Sequence, residues 1–583
     1  MTSVPPDEPS RGPANDTAEP PPPRPHSFSP HELGFTRRKP VPWLGPLQLA
    51  ATGVRVALAE QFGAYLDKRE LQNAFPKKVH DHSQQPELWL DFVADIGDGF
   101  DATYSVAYLL AQPELDLDGA RLPRGEVLVL GGDQVYPTAS GQRYEDRAKG
   151  PYRSALPCPP EVGRAPTLYA LPGNHDWYDG LTAFLRLFAR RDGSHLGGWQ
   201  TQQTRSYFAV QLPQRWWLLA IDVQGGAYMD DPQVEYFREV ADQLMPGDRV
   251  IVCTPQPSWV QAKDHPRAYD TTDYLIRTIV DPTGAEVALM LTGDIHHYAR
   301  YAQVDGVRQL VTAGGGGAFL YATHRLPEQI TVPPKESIVR KASPSQEYRL
   351  EQTYPSRSRS RGLGAGVFAR LPLRNPGFVA LLAFVHAMLL LALDNSEKRV
   401  LTLPVFLMVL VVFGLATFFA AGLTTGRRGV HHFALGLGHA LAQVALALGG
   451  LAVWRALPFD TWEWPLPALA AAAIYGPVAG LVAAELVALY LLVASELGVN
   501  LNELFAGQGI EGYKGFVRLH IGPDGALTLY AVGVDQVSKQ WRPNPQGRQD
   551  SPWFEPVHPL RPALVDGPVT LMPAHPSPAY RSS

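Results

Sequence analysis

EVLVLGGDQVY, residues 126–136, runs through four apolar residues, closes on a glycine pair, and places Asp133 and Tyr136 just beyond. A short apolar run closed by glycine reads as a buried strand. A polar group set just past such a strand is how open α/β sheets assemble a site. Four other segments repeat the arrangement. VADIGD (93–98) puts Asp95 after the run 88–94, and GNHD (173–176) puts Asn174 and His175 after 167–171. VCTPQPSW (252–259) puts Pro255 after 249–254, and GDIHHY (293–298) puts Asp294 and His296 after 286–292. A further strand is expected at 307–312, and 207–212 with 216–221 reads as a hairpin turning at Pro213-Gln214. Strands alternating with helical stretches indicate an α/β domain. Gly314 to Gly317 lack a following Lys-Ser or Lys-Thr, so they are no nucleotide P-loop and are expected to let backbone pass close to the site.

In this order the five segments resemble the signature of the calcineurin-like metallophosphoesterase superfamily: D-x-H or D-x-G, GDxx, GNH[DE], an isolated His, then GHxH. Asp95-Ile96-Gly97 lacks the first His and GDQVY carries a Tyr, which is similar to the purple-acid-phosphatase variant. The resemblance implies a four-layer α-β-β-α sandwich. It implies Asp95, Asp133, Tyr136 and His296 as ligands of a first metal. A second metal would take Asp133 as a bridge, Asn174, and Asp294 in place of the first GHxH histidine. Pro255 stands where the lone His is expected and offers no ligand. The implied ions are divalent or mixed-valence Mn, Fe or Zn. The implied reaction is hydrolysis of a phosphomonoester or phosphodiester by a metal-bound hydroxide. His175 would protonate the leaving oxygen and Asp176 would orient its ring. His297, beside His296, is read as an outward-facing loop residue, the alternative being a spare imidazole that replaces a missing ligand.

The chain has 583 residues, enough for two or three domains. A net charge of -5 from 51 basic and 56 acidic residues gives no indication of nucleic acid. Two cysteines, Cys158 and Cys253, imply no disulfide framework and fit a reducing cytoplasm. Residues 1–30 show no basic start followed by an apolar core, so no secretory signal is expected. Their Pro, Ser, Asp and Glu content predicts a disordered tail.

Residues 46–66 carry Leu47, Val54, Ala57, Leu58, Phe62 and Tyr65 at helical spacing, followed by Asp67, Lys68, Arg69 and Glu70. An amphipathic helix is expected there, packed on the catalytic domain or lying at a membrane surface. After a catalytic domain at 40–330 and a basic juxtamembrane linker at 331–375, four apolar spans follow at 376–393, 400–423, 432–453 and 467–493. Each approaches the length of a bilayer crossing. Arg359, Arg361, Arg370, Arg374, Arg427 and Arg428 against Asp460, Trp462, Glu463 and Trp464 place both termini in the cytoplasm, in a multi-pass cell membrane protein. His386, His439 and Glu485 within the spans are read as interhelical hydrogen-bonding or near-interface groups rather than a transport path.

A small C-terminal module is expected at 496–548, with a hairpin around Gly522-Pro523-Asp524-Gly525, before a proline-rich tail at 549–583. NELFAGQGIEGYKGFVRLHIGPDGALTLYAVGVD resembles the C-terminal module of large membrane-linked calcineurin-like phosphoesterases of bacteria and plants. The expected partners are a phosphoester substrate and the lipid bilayer. The rival readings are a weakened enzyme that senses a metal or phosphorylated ligand through the helices, and a scaffold without ligand.

Overall fold

The computed structural model describes residues 23–62, 72, 74–160, 165–223, 228–335, 343–394, 402–421 and 430–573. The start of the chain (1–22), Tyr65, Asp67, Lys68, Arg69, Glu70, Arg427, Arg428 and residues 574–583 lie outside them, as do the side chains of Ala57, Leu58, Phe62 and Asp460. Among the described residues every expected strand forms. Leu88–Val93, Val127–Leu130 and Thr167–Ala170 run parallel in one sheet. Trp216–Ala220, Arg249–Cys253, Glu286–Thr292 and Gln309–Ala313 run parallel in another. Phe208–Gln211 pairs antiparallel with Trp216–Ala220, as the hairpin reading requires.

These strands are apolar almost throughout because both of their faces are covered. Leu90, Phe92, Val127 and Tyr169 of the first sheet meet Val210, Leu218, Ile251 and Leu289 of the second. The alternate residues Val93, Leu128, Leu130 and Leu168 pack outward beneath Tyr104, Ala107, Tyr152 and Ala155 of the helices Phe100–Ala111 and Gly150–Ala155. On the far side Leu219, Val250, Val252 and Met290 lie beneath Val234, Phe237 and Val240 of the helix Asp231–Ala241. The period of two therefore builds a helix–sheet–sheet–helix sandwich, as expected.

Two expected boundaries are corrected. Residues 496–548 are no separate module. The hairpin Lys514–Ile521 and Leu527–Val534 forms, but its first strand pairs antiparallel with Leu88–Val93 and extends the first sheet. Pro562–Leu571 adds beyond it, so the expected proline-rich tail is structured as far as residue 573. At this seam buried Arg518 faces buried Asp91, Nε donating to Oδ1 at 2.6 Å and Nη2 to Oδ2 at 2.9 Å. Nη1 donates to the Leu122 carbonyl at 2.8 Å. Residues 331–335 and 343–375 are no linker either. Gln346–Tyr354 pairs with Tyr298–Gln303 and Gln329–Val332 near the edge of the second sheet. Its largely exposed, polar face is what made it read as a connection. The helices Arg357–Gly364 and Val367–Arg374 follow.

Among the described residues four helices are long and apolar enough to cross a membrane: Pro376–Asp394, Leu403–Ala420, His432–Arg455 and Leu466–Glu496. His386 Nε2 bonds to Gln443 Oε1 of another helix at 3.0 Å, an interhelical hydrogen bond, whereas Gln443 Nε2 meets His439 Nε2 of its own helix at 3.0 Å. The helices do not stand apart from the sandwich. Ala484, Val487, Ala488 and Leu491 of the last helix share one apolar cluster with Phe319, Leu320 and Ala322 of the sandwich and with Leu504 and Phe505. Asn375, immediately before the first long helix, is buried and accepts from Leu44 N at 3.1 Å. Its amide donates to Gly507 O at 2.7 Å.

Candidate metal centre

Asp95, Asp133 and Asp294 follow their strands with φ of 60°, 50° and 69°. This left-handed conformation is sparsely used by residues other than glycine, though Asp tolerates it better than most. It turns each carboxylate off its strand direction into a common space. The chain around them is cut to fit. A Cβ on Gly173 would lie 2.2 Å from Asp133 Oδ1, and one on Gly314 would lie 2.5 Å from Asp95 Oδ2. The run Gly314 to Gly317 therefore does let backbone pass against the site.

Tyr136 is fully buried at the centre. Its hydroxyl lies 2.9 Å from Asp95 Oδ1, 3.3 Å from Asp133 Oδ2 and 3.1 Å from His296 Nε2. His296 Nδ1 sits 2.9 Å from the Phe319 carbonyl, which can only accept, so Nδ1 carries the proton. Burial holds the ring pKa well below its ordinary value, so the imidazole is neutral and Nε2 presents a lone pair. Three acceptors thus surround one phenolic proton.

The same excess of lone pairs shows elsewhere. Asp95 Oδ2 and Asn174 Oδ1 are buried with no hydrogen-bond partner. Asn174 Nδ2 donates to the Tyr178 hydroxyl at 3.0 Å, leaving its oxygen for another contact. Asp95 is held well above the usual carboxylate range by burial and by the charges of Asp133 and Asp294. Burial lifts Asp133 to about 7, and burial with the charge of Asp133 lifts Asp294 to about 7. A cation relieves both burdens at once. Neighbouring ligands of a hard octahedral cation with bonds of about 2.1 Å lie about 3 Å apart, which matches the spacing around the Tyr136 oxygen. The residues present fit a metal ion, with Tyr136 an essential member. Among the described residues no group of three or more His, Cys, Asp or Glu could hold one by itself.

Asp294 is half-buried and accepts from Gln261 Nε2 at 3.4 Å. Pro255 lies beside the same space, since a Cβ on Gly132 would be 3.6 Å from Pro255 Cβ. The position expected to hold a lone imidazole is thus in place but filled by a ring without lone pairs.

His175 N donates to Asp133 Oδ1 at 2.8 Å, and His175 Nδ1 meets the Pro137 carbonyl at 2.7 Å. Nε2 is therefore the atom left for chemistry. Burial lowers this ring's pKa to about 4, against the opposing pull of the Pro137 carbonyl and the charges of Asp294 and Asp98. Two expectations fail here. Asp176 does not orient His175; its carboxylate accepts from Gly173 N at 2.9 Å, Gln134 N at 3.3 Å and the Tyr144 hydroxyl. It pins the loop backbone instead, because a carboxylate at the third position of a short helix reaches back to the helix start. His297 is not outward-facing but buried, in ring contact with Tyr321 at 6.2 Å.

Three contributors were not anticipated. Trp43 stacks edge-on near Tyr136, His175 and Phe319, with centroids 5.7, 5.9 and 5.3 Å away, and donates to Asp98 Oδ2 at 3.3 Å. Lys514, the first residue of the C-terminal strand, is fully buried with no hydrogen-bond partner for Nζ. Its charge acts on His296 and Asp95. No local pattern marks either residue, since each reaches the site only through a distant segment. Phe319, which fixes His296, follows the glycine run, the single signal that pointed toward it.

No family model matches the chain, and no curated protein matches it by sequence. Solved structures that resemble it include GAP50, the anchor in the inner membrane complex of Plasmodium, at 12% identity and TM-score 0.32. That likeness covers 46% of this chain and 90% of the other. Purple acid phosphatase PPD1 from yellow lupin seeds is 14% identical at TM-score 0.26, over 42% of this chain and 46% of its own. PhoD is 11% identical at TM-score 0.26, over 42% of this chain and 59% of its own. All three likenesses are distant.

Proposed function

We propose that the chain is a membrane-anchored, metal-dependent phosphoesterase. The observation that carries this reading is the ring of lone pairs about Tyr136, with Asp95, Asp133 and His296 within 3.3 Å of its hydroxyl. These four residues would hold the tighter ion, and Asp133, Asn174 and Asp294 a weaker second. A bound cation would activate water and neutralise phosphoryl oxygens. The chain's own work is to orient and to move a proton. The Phe319 carbonyl fixes the His296 tautomer, and the Asp176 carboxylate fixes the Gly173–Asn174 backbone. The Pro137 carbonyl holds His175 so that Nε2 remains to protonate the leaving oxygen. A neutral ring must first gain a proton for that, and a bound phosphoester anion beside it favours the imidazolium.

A second reading, a metal- or phospho-ligand-binding sensor coupled to the helices, is favoured by Pro255 at the imidazole position. The experiment that separates the two is hydrolysis by the detergent-purified full chain. Alkyl and nitrophenyl phosphomonoesters and phosphodiesters are supplied with Mn, Fe or Zn. Turnover abolished by Asp133→Asn supports the enzyme. Metal retention with no turnover of any substrate moves the assignment to the sensor.

A further inference from the structure

The site lies at the end of the sandwich that meets the long apolar helices. Trp43 contacts Tyr136 and His175, its neighbour Leu44 is held by Asn375, and Asn375 directly precedes the first long apolar helix. On another side Phe319, whose carbonyl fixes His296, shares its apolar cluster with the last long helix. From Trp43 the chain enters the helix Pro46–Phe62, and Pro46 sits 3.6 Å from the Cβ position of Gly377 at the start of the first span. This helix leaves Leu47 87% exposed and Val54 61% exposed, so it does not bury these side chains on the sandwich. The membrane-surface alternative of the sequence reading accounts for them, since the face continues from a helix of bilayer-crossing length.

The same helix carries a charge to the rim of the site. Exposed Arg55 and half-buried Arg143 both donate to the Thr138 hydroxyl, two residues beyond Tyr136. Arg143 also donates to the Thr138 carbonyl at 3.0 Å. Neither guanidinium has a carboxylate partner among the described residues. Two like charges drawn to one hydroxyl offer a place that an anion would neutralise, and guanidinium matches phosphate oxygens in geometry.

We infer that the phosphoester substrate is a membrane lipid, presented from the leaflet along the helix Pro46–Phe62 with its phosphate received by Arg55 and Arg143. This rests on the phosphoesterase reading above and names its substrate class. An acyl chain would stay in the bilayer beside Leu47 and Val54 while the headgroup reaches the metal centre.

The test uses the full chain in phosphatidylcholine nanodiscs doped with phosphatidic acid or phosphatidylglycerol. The competing substrates are water-soluble glycerol phosphate and glycerophosphoglycerol. The expected result is a preference of about tenfold or more in kcat/KM for a lipid over its soluble counterpart. Arg55→Gln, at an exposed position that spares the fold, is expected to raise KM for the lipid with kcat little changed. Native mass spectrometry of the full chain adds a readout independent of turnover. Phosphatidic acid should be retained over phosphatidylcholine, and lost in Arg55→Gln/Arg143→Gln. Equal or better turnover of the soluble esters, with no retained phosphatidic acid, overturns the lipid assignment and leaves the phosphoesterase standing. Retention without turnover of any ester upholds the lipid-phosphate site and removes the enzyme. Neither retention nor turnover overturns both.

Discussion

At the scale of single residues, the site is a surplus of buried lone pairs that a cation would satisfy. His175 is where catalysis and structure separate most cleanly. General acids contribute roughly 10²–10⁴-fold in rate. His175→Ala should lose on that order with alkyl phosphoesters, much less with nitrophenyl esters, and should keep its metal. Equal losses on both substrates would assign His175 to phosphate binding. Lys514 allows a test of stability. Burial lowers its folded pKa from 10.5 to about 7. Between those values the unfolded chain holds a proton the folded chain has released, so stability rises with pH across that window. Below about pH 7 the amine is charged in both states and the full cost of burying it is felt. Lys514→Met should therefore stabilise the apo protein by on the order of a few kcal/mol near pH 7. The gain should shrink as pH approaches 10. A gain in melting temperature that does not change with pH would contradict this account of Lys514. The sequence shows Asp95, Asp133, Asn174, Asp294 and His296 because each follows its own strand. It cannot show Lys514 or Trp43, whose neighbours in space are far away along the chain.

At the scale of elements, strands with two covered faces were legible because burial on both sides leaves a continuous apolar run. The strand Gln346–Tyr354 was not, since one exposed face dilutes the signal. The hairpin of Lys514–Ile521 and Leu527–Val534 was legible from its turn. Its docking on Leu88–Val93 was not, because the seam depends on Asp91 and Arg518, 427 positions apart. Removing one partner of a buried, hydrogen-bonded ion pair costs about 3–5 kcal/mol, since the other charge stays buried. Arg518→Leu should cost that much and open the C-terminal strands to protease. Asp91→Leu/Arg518→Leu should recover most of the loss. A single variant as stable and as protease-resistant as the parent would show that the pair does not hold the seam.

At the scale of the whole molecule, strands from before the first long helix and after the last lie in one sheet, so both flanks occupy the same side of any membrane. Any crossings must then be even in number, which agrees with the four apolar helices among the described residues. Reporters fused after Arg374 and after Ser583 should report one and the same compartment, the cytoplasm by the charge pattern; opposite compartments would break either the sheet or the span count. On the proposed reading, the position of the site against the ends of those helices would join metal, membrane and substrate in one arrangement. Its foundation is the metal itself. Elemental analysis of the full chain, purified in detergent and supplied with Mn, Fe and Zn, tests that directly. At least one tightly held ion per chain is expected, lost when Asp95→Asn is combined with His296→Ala. A chain that binds no ion, or one whose ion survives that double substitution, would contradict the central claim.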